Sequence, residues 1–102
     1  MRPVLTPQEM ADVDRAAPEP VETLIERAGF AVARTALDLL GGGYGRRVAV
    51  VAGKGNNGAD GRAAARVLTR AGVRVDVLEA GGSARIRADV DLVVDAAYGT
   101  GF

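Results

Sequence analysis

Two short stretches of the chain concentrate the side chains that can do chemistry. The first is Gly53-Lys54-Gly55-Asn56-Asn57-Gly58-Ala59-Asp60-Gly61. Its first six residues fit the spacing G-x-G-x-x-G, between an apolar run and a helical pattern. Glycines there let a phosphate approach backbone amides, and a following helix N-terminus favours an anion. Glu79 lies about twenty residues further on, where an acid that binds ribose would stand. No Gly-Lys-Ser/Thr follows at the spacing of a P-loop. Asn56 and Asn57 offer amide donors and acceptors, or serve a turn in which Asn tolerates left-handed backbone. Asp60 is a hydroxyl-binding or catalytic carboxylate, or an acid that favours the helix dipole. Lys54 neutralises a phosphate or is a solvated loop charge.

The second stretch is Asp95-Ala96-Ala97-Tyr98-Gly99-Thr100-Gly101-Phe102. Asp95 ends the apolar run Leu92-Val93-Val94. A carboxylate in that setting is costly unless it has a cation or hydrogen-bond donors. It either caps the next loop or faces a crevice as a cation ligand or acid–base group. An all-oxygen site made from Asp95, Asn57 and loop carbonyls would suit a hard cation.

Composition narrows the remaining chemistry. The 102 residues contain no Cys and no His. Disulfides, thiolate or imidazole metal sites and His-dependent triads are therefore excluded. Acid–base work falls to carboxylates, Lys, Tyr or water. Lys+Arg and Asp+Glu stand at 13 each. This balance argues against a broad nucleic-acid footprint or an anionic-membrane patch. No signal-peptide pattern or membrane-length apolar run is present, and a soluble cytoplasmic protein is expected.

The elements that must position these loops follow from periodicity. Thr6-Pro7-Gln8-Glu9 is a helix start, predicting a helix to about Ala17 that Pro18 and Pro20 end. Val21, Leu24, Ile25, Ala28, Val32, Ala36 and Leu39 form one stripe of a helix from Val21 to Leu40, closed by Gly41-Gly42-Gly43. Gly29 within it permits close packing against a neighbour. Arg47 to Ala52 reads as a buried strand. After a loop to Gly61, a helix from about Ala59 to Ala71 turns Ala63, Ala64, Val67, Leu68 and Ala71 inward, with Gly72 as its cap. Val73 to Leu78 and Val90 to Val94 are strands, and Ser83 to Ala88 is at best a short helix between them. Alternating strands and helices imply a parallel sheet with right-handed crossovers. Ligands of such sheets bind beyond the carboxyl ends of the strands, which puts a site between the two stretches.

Taken together, the two stretches closely resemble the signature of the NAD(P)H-hydrate epimerases, the YjeF N-terminal domain family. That signature reads G-x-G-N-N-G-G-D-G, followed by a helix like Ala64-Ala65-Arg66-Val67-Leu68. Val93 to Phe102 is similar to its second motif, V-D-A-hydrophobic-aromatic-G-T-G. Leu5-Thr6-Pro7-Gln8-Glu9-Met10 with Asp14, and Leu24-Ile25-Glu26-Arg27-Ala28-Gly29, also match. Ala59 and Lys54 depart from a usual Gly and a common Pro. The family's downstream V-D-x-P-S-G segment is not among these residues.

The resemblance implies a Rossmann-like three-layer α/β fold with a parallel sheet, residues 1–102 forming the N-terminal portion of one domain. It implies interconversion of the R and S epimers of hydrated NADH and NADPH, which lets an ADP- or ATP-dependent dehydratase repair the S form. That dehydratase is fused C-terminally in many bacteria. The family pattern assigns substrate contacts to Asn56, Asn57, Gly58, Ala59 and Asp60, and to Gly99, Thr100, Gly101 and Phe102. It assigns a potassium ion to Asn57 and Asp95, and family members often dimerise. Inversion at the hydrated carbon needs proton transfer, for which Asp95 and then Asp60 are the catalytic candidates. Two other functions compete. A nicotinamide-dependent oxidoreductase needs only the glycine pattern and Glu79. A non-catalytic interaction module needs only the fold, and leaves Asn57, Asp60 and Asp95 unexplained.

Overall fold

A computed structural model describes residues 4–5 and 20–97. The helix expected from Thr6 to Ala17, and Tyr98 to Phe102 with the site residues Gly99, Thr100, Gly101 and Phe102, lie outside the described residues.

The first long element is α1, Val21–Leu40, with the bounds its sequence predicts. Pro20 precedes it as N-cap at φ −55° and ψ 149°, and Glu22 puts an acid against the positive end of the helix dipole. Gly41 ends it in the left-handed region at φ 71°. The Gly42 N–H then donates to the Leu37 carbonyl at 3.0 Å, closing a Schellman turn. The buried face is Ala28, Gly29, Val32, Ala33, Ala36 and Leu40. Val21 and Leu39, expected on that stripe, are each 53% exposed. The face is turned by what it meets: a Cβ at Gly29 would stand 2.9 Å from the Ala64 nitrogen and closer to the Ala63 Cβ. The small residues of α1 therefore lie on the next helix, as the reading of Gly29 expects.

Strand β1 is Val4–Leu5, β2 is Arg47–Ala52, β3 is Arg74–Glu79 and β4 is Leu92–Ala96. Helix α2, Asn56–Arg70, joins β2 to β3. All pairings are parallel and the strand order is β1-β4-β2-β3, an α/β sheet of the expected class. Strand β1 was not legible, since two residues carry no period. Strand β4 begins and ends two residues later than predicted. Its pairing with β2 runs from Val48↔Leu92 to Ala52↔Ala96 and carries the ladder through Asp95.

Val48, Val50, Ala52, Leu92, Val94 and Ala96 form one sheet face, packed with Ala64, Ala65 and Leu68 of α2 and with Val32, Ala33 and Ala36 of α1. Leu68, Leu92, Val32, Val48, Val50 and Val94 are fully buried. Each such side chain contributes about 1.5–3 kcal/mol of transfer free energy. Ala71, expected inward, is exposed beyond the helix end.

The connection from β3 to β4 contains no helix between Ser83 and Ala88. Charges tie it down instead. Arg87 grips both oxygens of Asp89 at 2.9 Å. Asp91 accepts the Arg47 N–H at 2.9 Å and donates its own N–H to the Arg47 carbonyl at 2.7 Å. The Arg47 guanidinium reaches Asp76 at 3.5 Å and Asp89 at 3.8 Å.

Candidate functional site

The chain leaves β2, passes through α2 and returns as β3 on one side of β2, while β4 pairs on the other side. The border between β2 and β4 is thus the point where strand order reverses, and its carboxyl end is the natural crevice of such a sheet. Both candidate stretches start there. The Gly53 N–H donates to the Ala96 carbonyl at 2.8 Å, holding the two strand ends together.

Three glycines are required by crowding. A Cβ at Gly53 would collide with the Ala97 carbonyl oxygen. One at Gly58 would stand 2.6 Å from the Gly53 carbonyl carbon and nearer to its oxygen. One at Gly61 would come within 2.7 Å of the Ala96 Cβ and 3.1 Å of Val50. The loop, the first turn of α2 and the sheet are therefore in backbone-level contact. Gly55 differs, because a Cβ there would meet nothing within 4 Å. Its outer side is open, as a backbone approached by a ligand must be.

This docking corrects the expected helix start. Asn56-Asn57-Gly58 reads as a turn, yet α2 begins at Asn56, three residues before Ala59. Gly58 resting on Gly53 makes a helical turn affordable where the local residues prefer a loop. Gly55 is the N-cap, and it supplies no side-chain cap bond.

Asn56 is exposed at the head of α2, Ala59 is half-buried, and Asn57, Gly58 and Asp60 are buried. Asn57 is 1% exposed and Asp60 0%. Both polar groups are buried in the first turn of α2, and neither is without a polar partner there. Asp95 lies within β4, opposite Val51, and not at its end. Alternation along β4 turns it to the face away from Val94 and Ala96, which meet the helices. Its Oδ1 accepts the Ala97 N–H at 3.1 Å, so the carboxylate leans toward the carboxyl edge and caps the loop that follows. Asn57 stands in the first turn of α2, on the helix side of the sheet, and Asp95 on the opposite face.

A cleft of about 400 Å³ opens at the same edge, lined by Gly53, Lys54, Arg62, Glu79, Ala80 and Ala97 among others. It gathers Lys54 and Glu79 but neither Asn57, Asp60 nor Asp95. Arg62 went unnoticed in the sequence. Its Nη1 donates to the Gly53 carbonyl at 3.0 Å. The available signal was spacing: Arg62 stands four residues after Gly58, on the helix face that rests on Gly53. Among the described residues no group of three or more His, Cys, Asp or Glu side chains could hold a metal ion.

A parallel sheet entered through a glycine-rich strand–loop–helix, with its crevice at the switch in strand order, defines a Rossmann-like α/β domain. The chain belongs to the family described as YjeF-related protein N-terminus, whose model matches residues 21–89. An NAD(P)H-hydrate epimerase of Leuconostoc mesenteroides is 41% identical over 96 residues, covering 88% of this chain and 42% of that protein. A second, of Leuconostoc citreum, is 38% identical over 93 residues, covering 85% of this chain and 40% of that protein. A bifunctional NAD(P)H-hydrate repair enzyme Nnr of Salinibacter ruber is 42% identical over 80 residues, covering 74% of this chain and 15% of that protein. The chain spans about half the length, or less, of the curated relatives it matches. No solved structure matches it.

Proposed function

We propose that this chain carries the glycine-rich half of an NAD(P)H-hydrate epimerase site, acting on the R and S forms of hydrated NADH and NADPH. The observation that carries this reading is the docking of Gly58 on Gly53, which buries Asn57 and Asp60 at the edge shared by β2 and β4. Family membership and the relatives' names support it. The names of the bifunctional relatives, NAD(P)H-hydrate repair enzymes, support a second repair activity as functional partner, which in this reading is a dehydratase acting on the S epimer. The substrate contacts belong to Asn56, Asn57, Gly58, Ala59 and Asp60, with Gly99, Thr100, Gly101 and Phe102 continuing from β4. A cytoplasmic location and a homodimer complete the proposal.

The chemistry needs little machinery. The reacting carbon carries a hydroxyl and is bonded to the ring nitrogen. A carboxyl group gives a proton to that hydroxyl, water departs, and the nitrogen lone pair supports the cation left behind. Water then adds from the opposite face and gives its proton to a base on that side, a second carboxylate or solvent, while the first carboxylate regains a proton from solvent. Asp95 is the first candidate, because its carboxylate leans to the carboxyl edge. Asp60 is the second. An amide oxygen from Asn57 and a carboxylate from Asp95 are hard donors that fit a potassium ion, with backbone carbonyls completing the shell. Such an ion would supply positive charge beside the substrate.

Incubating the protein with potassium and (R)-NADPHX, and adding an S-specific dehydratase, tests the reading. Restored NADPH absorbance that depends on the protein is the expected result. Recovery no faster than the spontaneous rate, both with this chain and with one extended past Phe102, would overturn it.

A further inference from the structure

Epimerisation makes no direct use of Arg62, a half-buried residue in the second turn of α2. Its guanidinium serves the main chain. Nη1 donates to the Gly53 carbonyl at 3.0 Å, and Arg62 enters none of the ion pairs among the described residues. Gly53 is the node of the site. Its N–H holds the Ala96 carbonyl at 2.8 Å, and its carbonyl oxygen is the atom that a Cβ at Gly58 would strike. Gly53 is buried, and a buried carbonyl needs a donor. The Ala59 N–H, in the first turn of α2, goes to the Gly55 carbonyl at 3.1 Å. Arg62 meets the demand of Gly53 from further along the helix.

Beyond Gly53 the loop has little to fix it. Lys54, Gly55 and Asn56 are exposed, and a Cβ at Gly55 would meet nothing within 4 Å. Glycines on both sides of Lys54 leave the backbone there many conformations. The peptide from Gly53 to Lys54 is planar and trans, so a fixed carbonyl also fixes the direction in which the loop leaves β2. We propose that Arg62 is a positioning residue: by holding the Gly53 carbonyl, it selects the loop conformation that presents Asn56 and Asn57 to the substrate, without touching the substrate itself. The inference rests on the epimerase reading for its substrate and on the loop's geometry for its mechanism. A hydrogen bond from a charged donor biases such a loop by about tenfold or more. Without it the productive conformer becomes a minority that substrate must select, which raises KM and leaves kcat alone.

The test compares Arg62→Met, which keeps the apolar stem and loses the donors, with Arg62→Lys, which keeps a charged donor. Kinetics use whichever of this chain and one extended past Phe102 converts (R)-NADHX. Arg62→Met is expected to raise KM by about tenfold with kcat within about twofold of wild type, and Arg62→Lys to fall between the two. A loss confined to kcat, an unchanged KM, or a lysine variant no better than the methionine one would overturn the inference. The loop is followed separately by amide NMR of the substrate-free protein. Arg62→Met is expected to shift the Lys54 and Gly55 resonances and broaden them by exchange, with buried Leu68 unmoved. Lys54 and Gly55 resonances that stay in place would also overturn it. If neither chain converts (R)-NADHX, the epimerase reading falls, and the amide spectra alone decide whether Arg62 positions the loop.

Discussion

Replacing Gly58 by Ala separates the two reasons a glycine can be needed. Gly58 lies inside α2, so the exchange gains about 1 kcal/mol of helix propensity. Against this stands the new Cβ, 2.6 Å from the Gly53 carbonyl carbon and 3.0 Å from its nitrogen. An ordinary contact needs about 3.4 Å or more, and here the neighbour is backbone, not a side chain that can swing away. The first turn must therefore lift off the loop. Overpacking of this kind costs about 1–3 kcal/mol, and a backbone clash belongs at the upper end. The net expectation is a loss of about 2 kcal/mol, a large part of the stability of a domain this size. With a urea slope of about 1–3 kcal/mol/M the midpoint falls by about 1 M. Gly55→Ala is the control, since its Cβ meets nothing within 4 Å and its backbone is extended at φ −84°. It should leave the midpoint within about 0.5 M. A Gly58→Ala protein as stable as the wild type would refute the docking account.

Further outcomes follow from the same contacts. Leu68→Ala, at 0% exposure in the shared core of sheet and helices, should cost about 2–5 kcal/mol in chemical denaturation. Arg47→Ala should lower stability by about 1 kcal/mol, more at low than at high salt, because it removes contacts to Asp76 and Asp89 that hold the β3–β4 connection. The hydrogen bond from Arg87 lowers the Asp89 carboxyl from 3.8 to about 2. A lowered folded-state value means the stabilisation is present above pH 3.8 and lost as pH falls through about 2. The small stability gap between wild type and Arg87→Ala, measured from pH 6 downward, should therefore close in that window.

Much of the scaffold was legible in the sequence. The bounds of α1 and of β2 follow from a helical stripe and from a continuous apolar run between charged and glycine punctuation. That both candidate stretches leave the sheet at its carboxyl end followed from strand order, given only that the sheet is parallel. What failed did so where tertiary contact overrides local preference. Asn56-Asn57-Gly58 is turn-forming by itself, and only the seat of Gly58 on Gly53 makes it helical. Pairing with β2 extends β4 past Asp95, although a carboxylate normally reads as a strand end. Between Ser83 and Ala88, ion pairs from Arg47 and Arg87 do the work assigned to a helix, and charges of that kind have no period to detect. Arg62 was passed over because only the seat of α2 on the loop gives its guanidinium a partner, the Gly53 carbonyl.

The most direct measurement is chromatographic separation of the two epimers after pure (R)-NADHX is incubated with the protein and potassium, with wild type beside Asp95→Asn. The account predicts that wild type drives the R form toward the equilibrium mixture and that Asp95→Asn slows this by about 10²-fold or more. An R epimer that persists at its spontaneous rate with the wild-type chain and also with one extended past Phe102 would contradict it.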